Sequence, residues 1–327
     1  MIIGIFDWAN RFIDETNTVN GGSETWLIEI TKELSLLGHE VHLFCNCKFH
    51  KNRNITFIPK QKFKEIASIV EYDKFIYSRG FNNINAVNAK EIDLMLHDEV
   101  CFDVSAEALN KVKYIFLLSK HSMEKFTALY GKNYENKYKL TFNGIDQSLY
   151  KECKKENMMV WSSRPERGYS FFANKVFPLI KAEIPDFIVN VCSYDTANIP
   201  VRPGIVFKGL LNKKQLADLQ ERAKIWCYPN LGYMSNGIEF NETFCITAVE
   251  NAFANNNIVC GCNGGLTTTL PEEILVGKEF FKNKRCINEN EYAKYLADLC
   301  IKVLKNEIEL KCDVSKYTWK NAALSLL

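Results

Sequence analysis

The chain lacks the long apolar run that a membrane span requires. No stretch approaches the roughly 18 to 20 residues needed to cross a bilayer, and the opening MIIGIFDW is too short, and too poor in flanking basic residues, for a signal peptide. It reads instead as a first buried strand. A surplus of either charge is also missing: 41 basic residues stand against 39 acidic ones, a net charge of +2. That balance gives no bulk electrostatic case for a nucleic-acid partner. Twelve cysteines are present but no C-x-x-C pair. Cys45 and Cys47, like Cys260 and Cys262, are one residue apart, which excludes the usual zinc and thiol-exchange spacings. Without a secretory leader, the pattern predicts reduced, mostly buried thiols in a cytoplasmic protein. The G-x-G-x-x-G fingerprint, the G-x-x-x-x-G-K-[ST] phosphate loop and the G-x-S-x-G elbow are all absent, which argues against dinucleotide redox chemistry, a P-loop nucleotidase and an α/β-hydrolase. No internal repeat or low-complexity tract occurs.

What is present is an ordinary globular composition over 327 residues, enough for two domains, with 47% hydrophobic, 13% aromatic and 24% charged residues. Short apolar runs alternate with amphipathic stretches, the pattern of β-α-β units and parallel sheets. In the first half it predicts strands at residues 2–6, 41–44, 55–58, 74–77, 94–96 and 114–118. A helix is predicted over 24–37, where Leu27, Ile30, Leu34 and Leu37 recur at helical spacing, with Ser23 as N-cap and Gly38 as stop. The polar run at 150–157, YKECKKEN, reads as a domain linker. The pattern then restarts, with strands at 158–161, 187–191, 205–207, 225–228 and 257–261. Helices are expected at 171–182, at 213–223, from near Cys245 and at 289–304. Two such halves place ligands at the carboxyl ends of strands, where loops run into helix N-termini.

The segment NETFCITAVEN, residues 241–251, concentrates chemistry at such a place. Its helix start offers unpaired N–H groups and partial positive charge to a diphosphate. Glu250 suits the vicinal hydroxyls of a ribose, and Glu242 those of a sugar. The plain alternative is two solvated glutamates on a surface helix. The segment resembles the E-x7-E motif of retaining GT-B glycosyltransferases, particularly glycosyltransferase family 4. Four other places agree in the family's order. Gly21-Gly22-Ser23-Glu24 resembles its glycine-rich loop, and Leu96-His97-Asp98 its histidine-bearing loop. TFNGID, at 141–146, resembles the segment closing its first domain. WSSRPERG, at 161–168, resembles the basic loop opening its second.

The resemblance implies an α/β protein with the GT-B fold: two Rossmann-like domains with mostly parallel sheets facing a central cleft. Residues 1–150 would bind the acceptor and 151–327 the nucleotide-sugar donor, with a last helix, announced by Tyr317-Thr318-Trp319, packing back on the first domain. It implies a retaining hexosyltransferase taking a UDP- or GDP-sugar to a hydroxyl of a glycan or other acceptor. Front-face displacement would let the leaving phosphate take the acceptor's proton. His97, Arg167 and Glu242 are then the catalytic candidates. His97 would contact the transferred sugar, and Arg167 would meet the charge growing on the leaving phosphate. Donor contacts fall to Gly22, Ser163, Arg164, Thr243, Phe244, Cys245, Ile246, Thr247 and Glu250. Acceptor-side candidates are Gly21, Glu24, which reads equally as a helix-start charge, and Arg79, which reads equally as a surface salt bridge. No D-x-D carboxylate pair is present, so no metal or other cofactor is expected. The basic run at 60–64 reads as a solvated face, with weak peripheral contact to an anionic membrane as the alternative.

Two departures from the family pattern matter. The earlier phosphate-binding Arg falls on Ser162, with Arg164 as the substitute, and Cys245 stands where many members have Gly. These keep open a degenerate nucleotide-sugar-binding protein, and the shared fold keeps open a GT-B epimerase or phosphorylase.

Overall fold

In the first strand, β1 (Ile2–Asp7), every residue after Ile2 is buried, as a strand covered on both faces requires. The structure is a computed structural model that describes residues 1–14, 21–193 and 202–327. The chain packs as two units: Met1–Gly144 with Tyr317–Leu327, and Ile145–Lys316. The first division thus falls at Gly144, a few residues before the expected one.

Unit 1 runs β1, α1 (Gly22–Leu36), β2 (Glu40–Cys45), β3 (His50–Asn52), β4 (Ile55–Pro59), α2 (Phe63–Ile69), β5 (Lys74–Ser78), β6 (Ile92–Met95), α3 (Ala106–Lys111), β7 (Ile115–Leu117), α4 (Lys120–Tyr130) and β8 (Tyr138–Leu140). The eight strands form one sheet in the order β3-β4-β2-β1-β5-β6-β7-β8. All neighbours are parallel except β3 and β4. The order reverses direction between β1 and β5, so the crevice at their carboxyl ends is the topological switch point. Beneath one face, Phe6, Phe44, Phe63, Phe75 and Tyr77 interlock with ring centroids 4.7 to 6.3 Å apart.

Helix α1 buries Leu27, Ile30 and Leu34 of the expected stripe and adds Trp26, while Leu37 is its half-buried C-cap. Its N-cap is Gly21, in extended conformation, and not Ser23. Ser23 lies inside the first turn and its hydroxyl accepts a hydrogen bond from Arg79 instead, 3.3 Å away. Gly38 stops the helix at φ +88°, a value that costs other residues. The basic run at 60–64 is not a continuous solvated face. Phe63 is 2% exposed, and the Lys60 ammonium turns inward to the carbonyls of Trp8, at 2.9 Å, and Ala9.

Unit 2 runs β9 (Met158–Trp161), α5 (Tyr169–Phe171), a π-helical turn at Phe172–Val176, α6 (Phe177–Glu183), β10 (Ile188–Val191), β11 (Ile205–Phe207), α7 (Lys213–Arg222), β12 (Ile225–Tyr228), α8 (Ile246–Phe253), β13 (Asn257–Gly261), α9 (Leu266–Thr269), β14 (Leu275–Val276), a small hairpin of β15 (Phe281–Lys282) and β16 (Arg285–Cys286), and α10 (Glu289–Leu304). The parallel ladders β11-β10-β9 and β12-β13-β14 meet where the Lys224 N–H donates to the Met158 carbonyl at 3.1 Å. The Trp161 and Tyr228 rings lie 5.7 Å apart across the same seam. The change of direction between β9 and β12 makes a second switch point. Residues 150–157 belong to this unit and are no free linker. Tyr150 hydrogen-bonds Gln220 at 2.8 Å, and Lys155 reaches the Glu221 carbonyl at 2.7 Å and the Asn256 side chain at 2.7 Å. Burial holds the Lys155 ammonium down to about 8.

The last helix, α11 (Trp319–Leu324), belongs to unit 1, where it packs against α1. Tyr317 sets its ring edge-on to Phe142 with centroids 5.3 Å apart, and Thr141 shares a 2.7 Å hydrogen bond with Ser325. Among the described residues no helix is long and apolar enough to cross a membrane. All twelve cysteines are free thiols, eight of them buried.

Candidate functional site

Each unit gathers its candidate residues at its own switch point. In unit 1, Asp7 ends β1 and Arg79 follows β5 with left-handed φ +73°. Arg79 directs Nε to Asp98 Oδ2 at 2.6 Å and Nη1 to Ser23 Oγ at 3.3 Å. It therefore ties the start of α1 to the loop after β6 that carries His97. The salt bridge of its sequence reading is present, half-buried rather than on the surface. His97 is 9% exposed, and its ring stands 4.7 Å from that of Trp26. Burial, reinforced by the Arg79 charge, pushes the imidazole down to about 3, so it is neutral at physiological pH. Burial also pushes the Asp7 carboxyl up to about 6, against the pull of Lys60, the Ala9 N–H and Arg79.

Glu24 is buried, 3.6 Å from the Arg11 guanidinium. Gly21 does not need its φ of −70°. A side chain there would meet the Glu24 carboxylate, 2.5 Å from a Cβ. Gly22 opens α1 and is exposed.

In unit 2 the two glutamates of the E-x7-E segment are buried rather than solvated, at 7% and 6% exposure. Each is met by a cation. Arg167, on the loop after β9, places Nη1 3.1 Å from Glu242 Oε1, and its guanidinium lies 4.3 Å from the centroid of the Phe240 ring. The Tyr228 hydroxyl donates to the same carboxylate oxygen at 2.8 Å. Burial opposes the Arg167 charge, but Glu242 and then Tyr228 hold its affinity for the proton above the ordinary value. Burial, then Glu242, raises the Tyr228 hydroxyl well above its usual range, so it remains a donor. Glu250 accepts from Lys213 Nζ at 2.9 Å and from Gln220 Nε2 at 3.4 Å. Gln220 is itself fixed by Tyr150.

Between the two carboxylates the backbone turns into α8. Cys245 is its N-cap, with φ +74° and ψ 77° and no side-chain cap. This left-handed conformation explains the glycine that the resemblance expects there. Ile246 and Thr247 form the first turn, whose N–H groups have no intrahelical acceptor. Phe244 is buried, and its carbonyl accepts from Thr269 Oγ1 at 2.5 Å. Thr243 is half-buried on the same turn.

Along the basic loop, Ser163 gives its carbonyl to Trp161 Nε1 at 2.9 Å, while Arg164 is exposed. Ser162, where the resemblance expects a first arginine, buries a hydroxyl that meets no partner.

Three participants escaped the sequence reading. Lys213 was expected only as a helix start, Tyr228 only as a strand residue, and Asp98 only as part of a loop motif. The pairings Lys213–Glu250, Tyr228–Glu242 and Arg79–Asp98 span 37, 14 and 19 positions. Arg79 meets Asp98 because β5 and β6 pair in parallel and bring their carboxyl ends together, while Lys213 reaches Glu250 from α7 to α8 and Tyr228 meets Glu242 across the loop after β12; no local spacing encodes these pairings.

No protein-family model matches the chain, and no curated protein does. Solved structures do. A glycosyltransferase involved in avilamycin A biosynthesis, AviGT4, superposes with a TM-score of 0.64 at 12% identity, covering 99% of this chain and 95% of that one. Sucrose-phosphate synthase from Thermosynechococcus elongatus gives 0.63 at 13% identity, over 100% and 97%. Anabaena HepE in complex with UDP gives 0.61 at 14% identity, over 100% and 94%. What these likenesses carry is the fold: this chain has the GT-B architecture of solved glycosyltransferases.

Proposed function

We propose that the chain is a metal-independent, retaining glycosyltransferase that moves a hexose from a nucleotide-diphosphate sugar to a hydroxyl acceptor. The reading is carried by one observation: two buried carboxylates, each pre-paired with a cation, flank the N-terminus of α8. A helix N-terminus with an adjacent guanidinium suits a diphosphate. Glu250 has two oxygens for the ribose hydroxyls, and Glu242, fixed by Arg167 and Tyr228, faces the sugar. Arg167 takes up the charge that grows on the leaving phosphate. In the step itself the C1–O bond to the diphosphate breaks and the acceptor oxygen bonds C1 from the same face. The acceptor's proton passes to the leaving phosphate oxygen. His97, neutral, offers unit 1 a hydrogen-bonding group and not a base.

HepE was solved with UDP, and the same protein with UDP-glucose. Uracil is therefore the first base to test here, and guanine the second. The expected outcome is a rise in melting temperature with UDP or GDP and a larger rise with the matching sugar nucleotide. Arg167→Ala should lower donor hydrolysis and transfer by about 100- to 1000-fold, and Glu250→Ala should weaken donor binding by about 10- to 100-fold, while the fold persists. Full activity in both variants would refute the site. The Ser162 hydroxyl, buried where the resemblance expects an arginine, favours one second reading, a protein that binds the donor without turning it over. Calorimetric binding with no product on an acceptor panel would establish it.

A further inference from the structure

Around the carboxyl ends of β12 and β13, unit 2 buries three asparagines that neither the helix start nor the paired glutamates account for. Asn230 follows β12 with φ +47° and is 2% exposed, Asn263 follows β13 at 3%, and Asn241 precedes Glu242 at 2%. Asn263 is fully used. Its Nδ2 donates to the Lys284 carbonyl at 2.6 Å and its Oδ1 accepts from the Gly264 N–H at 2.9 Å. Asn230 is half used: Nδ2 donates to the Asn263 carbonyl at 2.8 Å, while Oδ1 meets no partner. Asn241 is unused, with both its Oδ1 and its Nδ2 buried and unpartnered.

A buried amide with neither end satisfied carries the full desolvation cost of both groups, and an apolar residue of the same shape would be cheaper. The backbone nevertheless holds it firmly. Gly264 sits at φ +58°, where a Cβ would lie 2.9 Å from that of Asn241. The Gly265 N–H donates to the Glu242 carbonyl at 2.6 Å, and a Cβ on Gly265 would come within 2.4 Å of the Thr243 carbonyl. The glycine pair thus presses directly on the strand-to-helix turn carrying Asn241, Glu242 and Thr243, and fixes Asn241 beside the carboxylate that Arg167 and Tyr228 orient.

The unmet capacity specifies its ligand. One amide offers an acceptor and a donor side by side, and Asn230 offers a second acceptor close to the same loop. No charge is offered, so a phosphate would find a carbonyl oxygen set against it. A hydroxyl both donates and accepts, and matches an amide at each end. We infer that Asn241 is a specificity-determining residue that reads a hydroxyl of the transferred sugar. The inference rests on the transferase reading above and adds to it which side chain discriminates among sugars. A pocket built to hydrogen-bond a hydroxyl rejects the analogue that lacks it, because its own polar groups are then left unpaired.

The test is a cycle between protein and substrate. Donor hydrolysis is measured for the wild type and Asn241→Ala with UDP-glucose and its 3-, 4- and 6-deoxy analogues, and with GDP-mannose and the same deoxy series. The wild type is expected to lose about 10- to 100-fold in kcat/KM with one deoxy donor. Asn241→Ala should lose a similar factor with the parent sugar and nothing more with that deoxy donor, so its discrimination collapses to about one. Affinity for the nucleotide diphosphate alone should stay within about twofold, a result that general loosening of the site would not give. Asn241→Ser, which keeps a hydrogen-bonding group, should recover part of the discrimination, and it stands in should the alanine variant fail to fold. A variant that turns over and still discriminates as the wild type does overturns the inference and assigns the amide to internal water. So does a wild type indifferent to all three deletions. A wild type that turns over neither donor fails earlier, at the transferase reading, and takes the inference with it.

Discussion

The two units solve the same topological problem with opposite electrostatics. Unit 2 builds its switch point from charges: Arg167 on Glu242 and Lys213 on Glu250, each pair partly sheltered from water. Unit 1 places a neutral imidazole at its own, beside the ion pair of Arg79 with Asp98. Burial raises its Asp7 carboxyl to about 6, while the pair of Arg79 with Asp98 serves to join two loops. Under the proposed function the contrast would serve a division of labour. A diphosphate donor calls for fixed cations and helix N–H groups, whereas a hydroxyl acceptor calls for neutral hydrogen-bonding groups. The same β-α-β architecture supports both because the chemistry sits on loops that the sheets position but do not dictate.

The largest effect should come from unit 2. Arg167→Ala is expected to lower donor turnover by about 100- to 1000-fold, the usual cost of removing one preorganised charge from the place where charge develops. Because it strands Glu242, it should also lower the melting temperature. Adding Glu242→Gln should restore the melting temperature without restoring turnover. Kinetics and thermal unfolding of the single and double variants separate the two roles, and a double variant that regained activity would erase the contrast between the units.

Glu250→Ala should act on binding more than on chemistry. Losing hydrogen bonds to two ribose hydroxyls predicts a roughly 10- to 100-fold weaker Kd for the nucleotide diphosphate, read by calorimetry. The stranded Lys213 is half-exposed and can turn to water, so little stability should be lost. A variant that binds the nucleotide as the wild type does would leave the Lys213–Glu250 pair a purely structural feature.

The third effect probes unit 1. The His97 imidazole is held near 3 in the folded chain and titrates near its ordinary value, about 6.5, when unfolded. Between those values the unfolded chain binds a proton that the native chain refuses. The stability associated with a neutral His97 is therefore complete above about pH 6.5 and is lost as pH falls. From pH 6.5 to 5 the wild type should lose about 2 kcal/mol more than His97→Gln, measured by urea unfolding of both. Equal losses would mean that the imidazole is reached by water, and unit 1 would then resemble unit 2 more than the contrast allows.

Reading the sequence reached the elements further than the partners. Strands at 225–228 and 257–261, and the helix at 289–304, stand where periodicity put them, because burial on one or both faces is written in apolar spacing; the strand at 205–207 also stands where expected, though it is largely exposed. The short pieces were missed: β3, β8, α3 and α9 are six residues or fewer, too short to show a period. The N-cap of α1 went to Ser23 by residue preference, whereas the loop geometry uses Gly21 and gives the Ser23 hydroxyl to Arg79. Among candidate site residues, Glu242, Arg167 and Glu250 were visible as types at fixed offsets. Tyr228 and Lys213 were not, since their partners lie 14 and 37 positions away and meet them only in the folded chain. Asn241 lay inside the motif that drew attention, but nothing in the letters distinguishes a satisfied amide from an unsatisfied one.

The smallest effect sits at the residue where the chain departs from glycine. Cys245 holds φ +74°, a conformation that costs an L-residue about 1 kcal/mol more than glycine. Its thiol is buried, so replacement also removes apolar contact. Cys245→Gly relieves the strain while losing the contact, two effects of similar size, and should leave the melting temperature within a few degrees of wild type. Cys245→Ala loses much of the contact and keeps the strain. Within a helix alanine is the more favourable residue, yet here the glycine variant should be the more stable by about 1 kcal/mol. Thermal unfolding of the two variants decides the matter. An alanine variant more stable than the glycine variant would show that α8 begins in an ordinary turn, and its first N–H groups would then not be presented as the proposed diphosphate site requires.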